Sequence, residues 1–441
     1  MPLVAIHSKR QNILERLLSI FATVKPGEGL TAFLLMLNVF ILLTAYYIIK
    51  PVREALILSG SGAEIKSYAG AGQALLFLLI VPLYSALSRR ANRLRLVNGM
   101  TAFFISNLVI FCVLGQMKFP LGVVFFLWVG LFNLMVVAQF WAFANDIYTQ
   151  EQGKRLFAIV GIGSSIGAIF GAEVAGWLFK PIGAYSMMLV AAALLGVCMV
   201  LTNWVHRRER DGSERRAQAA DRPIGESGGF QLVFKYRYLL LIAILVLLSN
   251  FAKTTGEFIL GKVVSQHAAS SGTNPQAYIG EFYADFYFWI NLLGAVFQMF
   301  VVSRIMKYMG IGAALFFLPV IALGSYATLA FVPILSFIRV AKIAENSAEY
   351  SIQNTARQAL FLSTNREAKY KAKFAIDSFF ARAGDGLSAL LVFIGTSLAF
   401  DIRSFAIVNA ASVLVWLVVV VAILRVRNNQ SESATETRKA A

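Results

Sequence analysis

The chain has 441 residues, of which 58% are hydrophobic and only 14% charged, and its formal net charge is +17. That balance is too apolar for an ordinary soluble domain. The basic residues are scattered over separate loops, which disfavours the clustered stripe of a nucleic-acid-binding protein.

Residues 1–29 open with "MPLVAIHSKRQNILERLLSIF", an amphipathic stretch without the basic tip and apolar block of a cleaved signal peptide. Such a segment is expected to lie along the inner membrane surface. A bilayer crossing needs about 20 apolar residues as helix, and twelve stretches qualify. Six fall at 30–58, 66–88, 96–115, 120–144, 155–179 and 183–205, and six at 236–260, 280–302, 310–330, 332–360, 372–399 and 403–425. The tenth is the most polar, with "IRVAKIAENSAEYSIQNTARQ" inside it. Between the two sets, residues 206–235 form a polar, arginine-rich linker, and residues 426–441 read as a disordered tail. The sequence therefore predicts an all-α integral membrane protein of two six-helix halves, 30–205 and 236–425.

Arg89, Arg90, Arg93 and Arg95 follow the second span, Arg207, Arg208, Arg210, Arg215, Arg216 and Arg222 the sixth, and Lys369, Lys371 and Lys373 the tenth. The alternate loops carry few such residues. Basic loops stay cytoplasmic, so both termini and the linker are expected in the cytoplasm, with the chain in the inner membrane. Cys112 and Cys198 both fall inside spans, so no disulfide is expected.

Two internal echoes support related halves. Lys50 and Glu54 in "KPVREALIL" recur as Lys253 and Glu257 in "KTTGEFILG", and "TQEQGKR" is echoed by "TNREAKY". Parallel six-span repeats are a transporter architecture, with the substrate site between the halves.

Charges at membrane depth are costly unless they face a wet cavity or a partner. Tyr46, Lys50, Arg53 and Glu54 share one helical face by their spacing, and Pro51 is expected to kink the helix beside them. Lys50 and Arg53 can meet an anionic substrate. The alternative is that Lys50 and Glu54 pair along the helix and snorkel to the interface. The same two readings hold for Lys253 and Glu257. Glu349 and Arg357 lie in the polar tenth span, and Asp377, Arg382 and Asp385 in the eleventh. The two aspartates can ion-pair structurally, relay protons or touch substrate.

Other patterns carry less. Gly163, Gly167 and Gly171 in "GIGSSIGAIFG" follow no strand and read as close helix packing. "GSGAEIKS" lacks the glycine a phosphate loop needs before its lysine. His7, His206 and His267 lie far apart without neighbouring ligands, so neither a metal nor another cofactor is expected. No nucleophile has a base beside it, which disfavours an enzyme. Trp141 and Phe143 adjoin Asn145 and Asp146 and can stack on a base, although core packing suits them better.

Three stretches carry a family resemblance. "FWAFANDIYTQEQGKRLFAIVGIGSSIG", "YYIIKPVREALIL" and "ENSAEYSIQNTARQALFLSTNREAKYKAKFAID" are similar, in order and spacing, to segments of the bacterial and plastid ATP/ADP translocases. Their counterparts there are "FWGFANQ", "YTILRDTKDVL" and "KYSLFDPTKEMAYIPL". The resemblance implies twelve spans of the major facilitator type and exchange of ATP against ADP, or carriage of other nucleotides with or without protons. Lys50, Arg53 and Arg357 stand where that family has basic residues, which suits a polyphosphate, and Glu54 and Glu257 where it has acids. The chain departs from the family at Asn354, Thr355 and Gln358, which replace aspartate, proline and glutamate. It departs again at Val129, which replaces a glutamate, and at Asp385, which replaces a lysine.

The expected protein is therefore a monomeric secondary transporter of nucleotides working by alternating access. Lys50, Arg53, Lys253 and Arg357 are expected to hold phosphates. Glu54, Glu257, Asp377 and Asp385 are the expected ion-pair or proton-coupling acids. The alternatives are a proton-coupled carrier of another organic anion and, in a different class, a non-transporting scaffold or sensor. Intramembrane charges in both halves argue against the last.

Overall fold

A computed structural model describes residues 12–90, 93–217, 229–361, 364 and 372–440. Among these residues all regular structure is helical. A short α1 (Ile13–Leu18) precedes α2 (Gly29–Gly60), α3 (Gly62–Arg90), α4 (Arg93–Gln116), α5 (Gly122–Phe132) and α6 (Ala138–Ile147). Then follow α7 (Gln150–Ala217), α8 (Gly229–Lys235), α9 (Arg237–Ser270), α10 (Pro275–Val296), α11 (Val302–Tyr308) and α12 (Gly310–Phe331). The chain closes with α13 (Leu335–Ala348), α14 (Asn354–Leu360), α15 (Lys373–Ala375), α16 (Ala381–Ser397) and α17 (Ile402–Ala440).

Nine helical stretches among the described residues are long and apolar enough to cross a bilayer, so the chain is an all-α, multi-pass membrane protein. One of them, Arg155–Glu209, contains two predicted spans. It breaks at Gly183, whose φ of 73° and ψ of 169° lie outside helical geometry, two residues after Pro181. Proline removes a helix hydrogen bond and glycine accepts the positive φ, so the break sits where sequence chemistry permits it. The second and tenth predicted spans are helical as well, in α3 and in α13 with α14.

Among the described residues, single turns of wider π-helix interrupt the long helices at Asn133–Val137, Phe297–Val301, Glu349–Gln353 and Ile376–Phe380. Such turns insert one residue and re-aim the side chains beyond them, often at functional sites. The last two carry Glu349 and Asp377.

Two sequence expectations meet a different backbone. The arginine-rich segment stays helical to Ala217 and resumes as α8, with 218–228 outside the described residues. The tail continues α17 to Ala440 where disorder is expected. The tail helix α17 has neither proline nor glycine after Arg427 to stop it.

Contacts divide the chain into two compact units. One takes Met1–Arg53, Val81–Leu121 and Trp128–Arg222; the other takes Glu54–Ile80, Gly122–Leu127 and Pro223–Ala441. In the first unit α7 lies directly on α2. A Cβ at Gly163, Gly167 or Gly171 would strike the carbonyl oxygens of Met36, Phe40 and Thr44, so the predicted small-residue stripe is a close helix contact. Phe104, Phe111, Trp128 and Phe132 pack ring on ring beside it. Phe143 is buried, and Trp141 packs edge-on against Phe140 and Phe157. In the second unit α9 is the central helix. Phe258 meets Phe405 of α17 at 5.0 Å, Thr255 hydrogen-bonds Ser388 of α16 at 2.9 Å, and Gly384 lets α16 approach the backbone at Leu247. Leu414, Val415 and Val418 of α17 point outward, as side chains facing lipid do.

Candidate functional site

In the first unit Lys50 is 8% exposed, and its ammonium lies over the rings of Tyr46 and Tyr47, 5.8 and 4.9 Å from their centroids. Tyr46 stacks in turn on Phe132. The spacing argument thus holds for Tyr46 and Lys50, which do share a face. Arg53 is half-buried one turn on. Helix α2 keeps its helical assignment through Pro51.

Outside the membrane span, Glu28 grips Arg155 with both oxygens, at 3.0 and 3.1 Å, and accepts from Gln152 at 3.2 Å. Burial works to raise the Glu28 carboxyl, but Arg155, the Lys25 amide and Gln152 together hold it below the usual carboxylate range.

The second unit gathers most of the predicted acids and bases. Glu54 is fully buried; Lys66 reaches it at 2.6 Å and the Tyr287 hydroxyl donates to it at 3.2 Å. Lys66 also lies over the Tyr283 ring. Lys253 pairs with Glu349 of the π-turn after α13, at 3.0 Å, and lies 5.3 Å from the centroid of the Tyr350 ring. The expected pairing of Lys253 with Glu257 along α9 is therefore corrected. A pair within one helix fixes two side chains against the helix surface, whereas here a long lysine meets a carboxylate on a packed neighbour. Glu257 is half-buried and has no hydrogen-bond or ion-pair partner among the described residues; Lys253, Lys66 and Lys342 are its attractive charges.

Two predicted residues from different spans come together: Arg357 Nε faces Asp377 Oδ1 at 3.9 Å. Both atoms are buried without a hydrogen bond, so the pair is loose. Asp385 accepts from Arg382 at 2.9 Å and from the Thr254 hydroxyl at 2.7 Å, while Arg382 covers the Phe77 ring.

Sequence reasoning missed a deeply buried ion pair. Lys342 and Glu345 pair at 2.8 Å with side chains 3% and 7% exposed. The Tyr326 hydroxyl donates to the same Glu345 oxygen at 2.9 Å. Asn409 donates to the Ala252 carbonyl at 2.9 Å, so α17 grips α9 immediately before Lys253. Gly256 makes room for this cluster, since a Cβ there would strike the Tyr326 hydroxyl. A signal was present: Lys342, Glu345, Asn346 and Glu349 recur at helical spacing. Among the described residues, no group of three or more His, Cys, Asp or Glu could hold a metal ion.

A small cavity of about 20 Å³ is lined by Lys253, Tyr326, Lys342, Glu345, Glu349 and Trp416 with five further residues. The site therefore presents two ion pairs of different depth: one buried, Lys342–Glu345, and one about a quarter exposed, Lys253–Glu349.

The sequence model of the family described as Major Facilitator Superfamily matches residues 29–344. Among curated proteins, the chain is 23% identical to ADP,ATP carrier protein 1 of Chlamydia trachomatis serovar D, over 84% of each chain. It is also 23% identical to ADP,ATP carrier protein 1 of Chlamydia muridarum, over 65% of this chain but 61% of that one. It is 22% identical to the chloroplastic ADP,ATP carrier protein 2 of Arabidopsis thaliana, over 77% of this chain and 64% of that one. Among solved structures, the nucleoside transporter NupG superposes with a TM-score of 0.60 at 14% identity, covering 90% of this chain and 98% of its own. A bacterial homologue of the iron transporter ferroportin, in an inward-facing state, gives 0.60 at 14% identity, covering 89% and 98%. The structural likenesses, at that identity, concern the fold.

Proposed function

The chain belongs to the Major Facilitator Superfamily, and from that membership we propose that it is a secondary transporter of nucleotides, exchanging ATP and ADP by alternating access rather than catalysing a reaction. Twelve spans in two six-helix halves (30–205 and 236–425), an inner-membrane location, cytoplasmic termini and action as a monomer belong to the same proposal. Lys50, Arg53, Lys253 and Arg357 are the proposed phosphate contacts. Glu54, Glu257, Asp377 and Asp385 are the acids that balance those bases or take up protons.

One observation carries the reading. The Lys253–Glu349 pair lies within helices of the membrane-spanning part, yet its side chains remain 26% and 28% exposed. A cation kept at that depth by an exchangeable carboxylate suits an incoming phosphate, since charge-assisted bonds to phosphate replace those to the carboxylate. The curated relatives named ADP,ATP carrier supply the substrate class.

Uptake into liposomes tests it. Vesicles bearing the protein and loaded with ADP should take up labelled ATP faster than empty ones. Folded, inserted protein that shows neither nucleotide uptake nor stabilisation by nucleotide would overturn the proposal. Uptake of another organic anion driven by a proton gradient would replace it.

A further inference from the structure

Two ion pairs line the small cavity, Lys253 with Glu349 and Lys342 with Glu345, and Glu257 lies one turn along α9 from Lys253. Lys342 is committed to Glu345 at 2.8 Å, deep in the protein. Lys253 holds Glu349 through both carboxylate oxygens, at 3.0 and 3.1 Å. If a substrate phosphate takes Lys253, Glu349 loses its cation at membrane depth, and the other ammonium of the cluster already serves Glu345.

Among the described residues of the second unit, Lys253 is the cation within ion-pair distance of Glu349. From α9 come Lys253 and Glu257, from α12 Tyr326, and from α13 Lys342 and Glu345. Arg357, on the helix that continues the turn, faces Asp377. The α10 residue beside this turn is Gly294. Asp385 of α16 also faces Lys253, and adds negative charge. An ionised carboxylate stranded there would cost several kcal/mol. The pair is about a quarter exposed, and the adjoining cavity of about 20 Å³ has room for one water molecule. Two lining residues, Glu345 and Trp416, each bury a polar atom without a hydrogen-bond partner, an acceptor and a donor respectively.

We infer that Glu349 is a proton-binding site linked to anion binding. As a phosphate oxygen replaces Glu349 on Lys253, the Glu349 carboxylate takes one proton from hydronium in the bulk and becomes a neutral acid. When the anion leaves, the proton returns to water and the Lys253–Glu349 pair re-forms. Each loaded passage then carries a proton with the nucleotide. This rests on Lys253 as an anion contact, as proposed above.

Calorimetry of ATP binding to the purified full-length protein, in two buffers of different ionisation enthalpy, counts the protons. Above about pH 7.5 nucleotide phosphates are already ionised, their last pKa being about 6, so uptake there reports the protein. The wild type should take up about one proton per ATP, and its affinity should fall up to tenfold per pH unit. Glu349→Gln should still be stabilised by ATP, with proton uptake and the pH slope both lost. Binding by the wild type without proton uptake overturns the inference and leaves the nucleotide reading standing. Equal uptake in Glu349→Gln also overturns it. Absence of ATP binding by folded wild type overturns the nucleotide reading and this inference with it. The wild-type proton count decides the matter even if Glu349→Gln fails to fold.

Discussion

Lys253 of α9 reaches across to Glu349, 3.0 Å away on a neighbouring element, and leaves Glu257, four residues along its own helix, without an ion-pair partner among the described residues. The echo of Lys50 and Glu54 in Lys253 and Glu257 is thus a repetition in sequence that does not make Lys253 and Glu257 partners in space.

A double-mutant cycle in thermal stability tests that pairing. Lys253→Ala should cost about 1–3 kcal/mol, because Glu349 is left without its cation in a half-buried place. Adding Glu349→Ala should recover part of the loss, whereas adding Glu257→Ala should recover less. Equal recovery from both would return the pair to α9.

The Lys342–Glu345 pair is far more buried, so its dependence on both partners should be steeper. Lys342→Met should cost about 3–5 kcal/mol through the stranded Glu345 carboxylate. Lys342→Met with Glu345→Gln should be closer to wild type, read as melting temperature in detergent. Tyr326→Phe removes one donor to Glu345 and should cost about 1–2 kcal/mol.

Close contact between α2 and α7 should be intolerant of any side chain. Gly167→Leu would drive a branched chain into the Phe40 backbone and should abolish folded protein, whereas Gly196→Ala has nothing within 4 Å of the new Cβ. Size-exclusion chromatography distinguishes the two. A monodisperse Gly167→Leu variant would contradict the contact.

The proposed phosphate contacts differ in geometry. Arg357→Ala should cut ATP uptake at least about tenfold, and Arg357→Lys less, since the charge remains while the planar fork is lost. Uptake of labelled ATP by ADP-loaded liposomes measures both. Equal rates in wild type and Arg357→Ala would remove Arg357 from the site.

Acid should loosen the Glu28–Arg155 clamp. The folded Glu28 carboxyl lies below its ordinary value, so its contribution is complete above the unfolded value and disappears as pH falls through the folded one. Glu28→Gln should lower the melting temperature at neutral pH, and the difference from wild type should shrink below about pH 4. A constant difference across that range would show that the carboxylate charge is not what matters.

The membrane helices and the glycine stripe are legible along the chain because hydrocarbon acts on local composition. A run of apolar residues must satisfy its backbone as helix wherever it lies, and glycines four residues apart share a helix face whatever packs on them. Which helices become neighbours, and with what rotation, is a long-range outcome of packing. Ion pairs follow that outcome, since a lysine side chain reaches only a few ångströms. Lys66 was passed over as part of a failed phosphate-loop pattern, and it serves Glu54. Lys342 and Glu345 were passed over as part of a polar stretch, and with Tyr326 they form a buried centre of the second unit. The sequence by itself determined that the chain lives in a membrane and carries charge there; the tertiary structure decided which charges meet across helices, as Lys253 meets Glu349 and Lys66 meets Glu54, because packing sets which helices are neighbours.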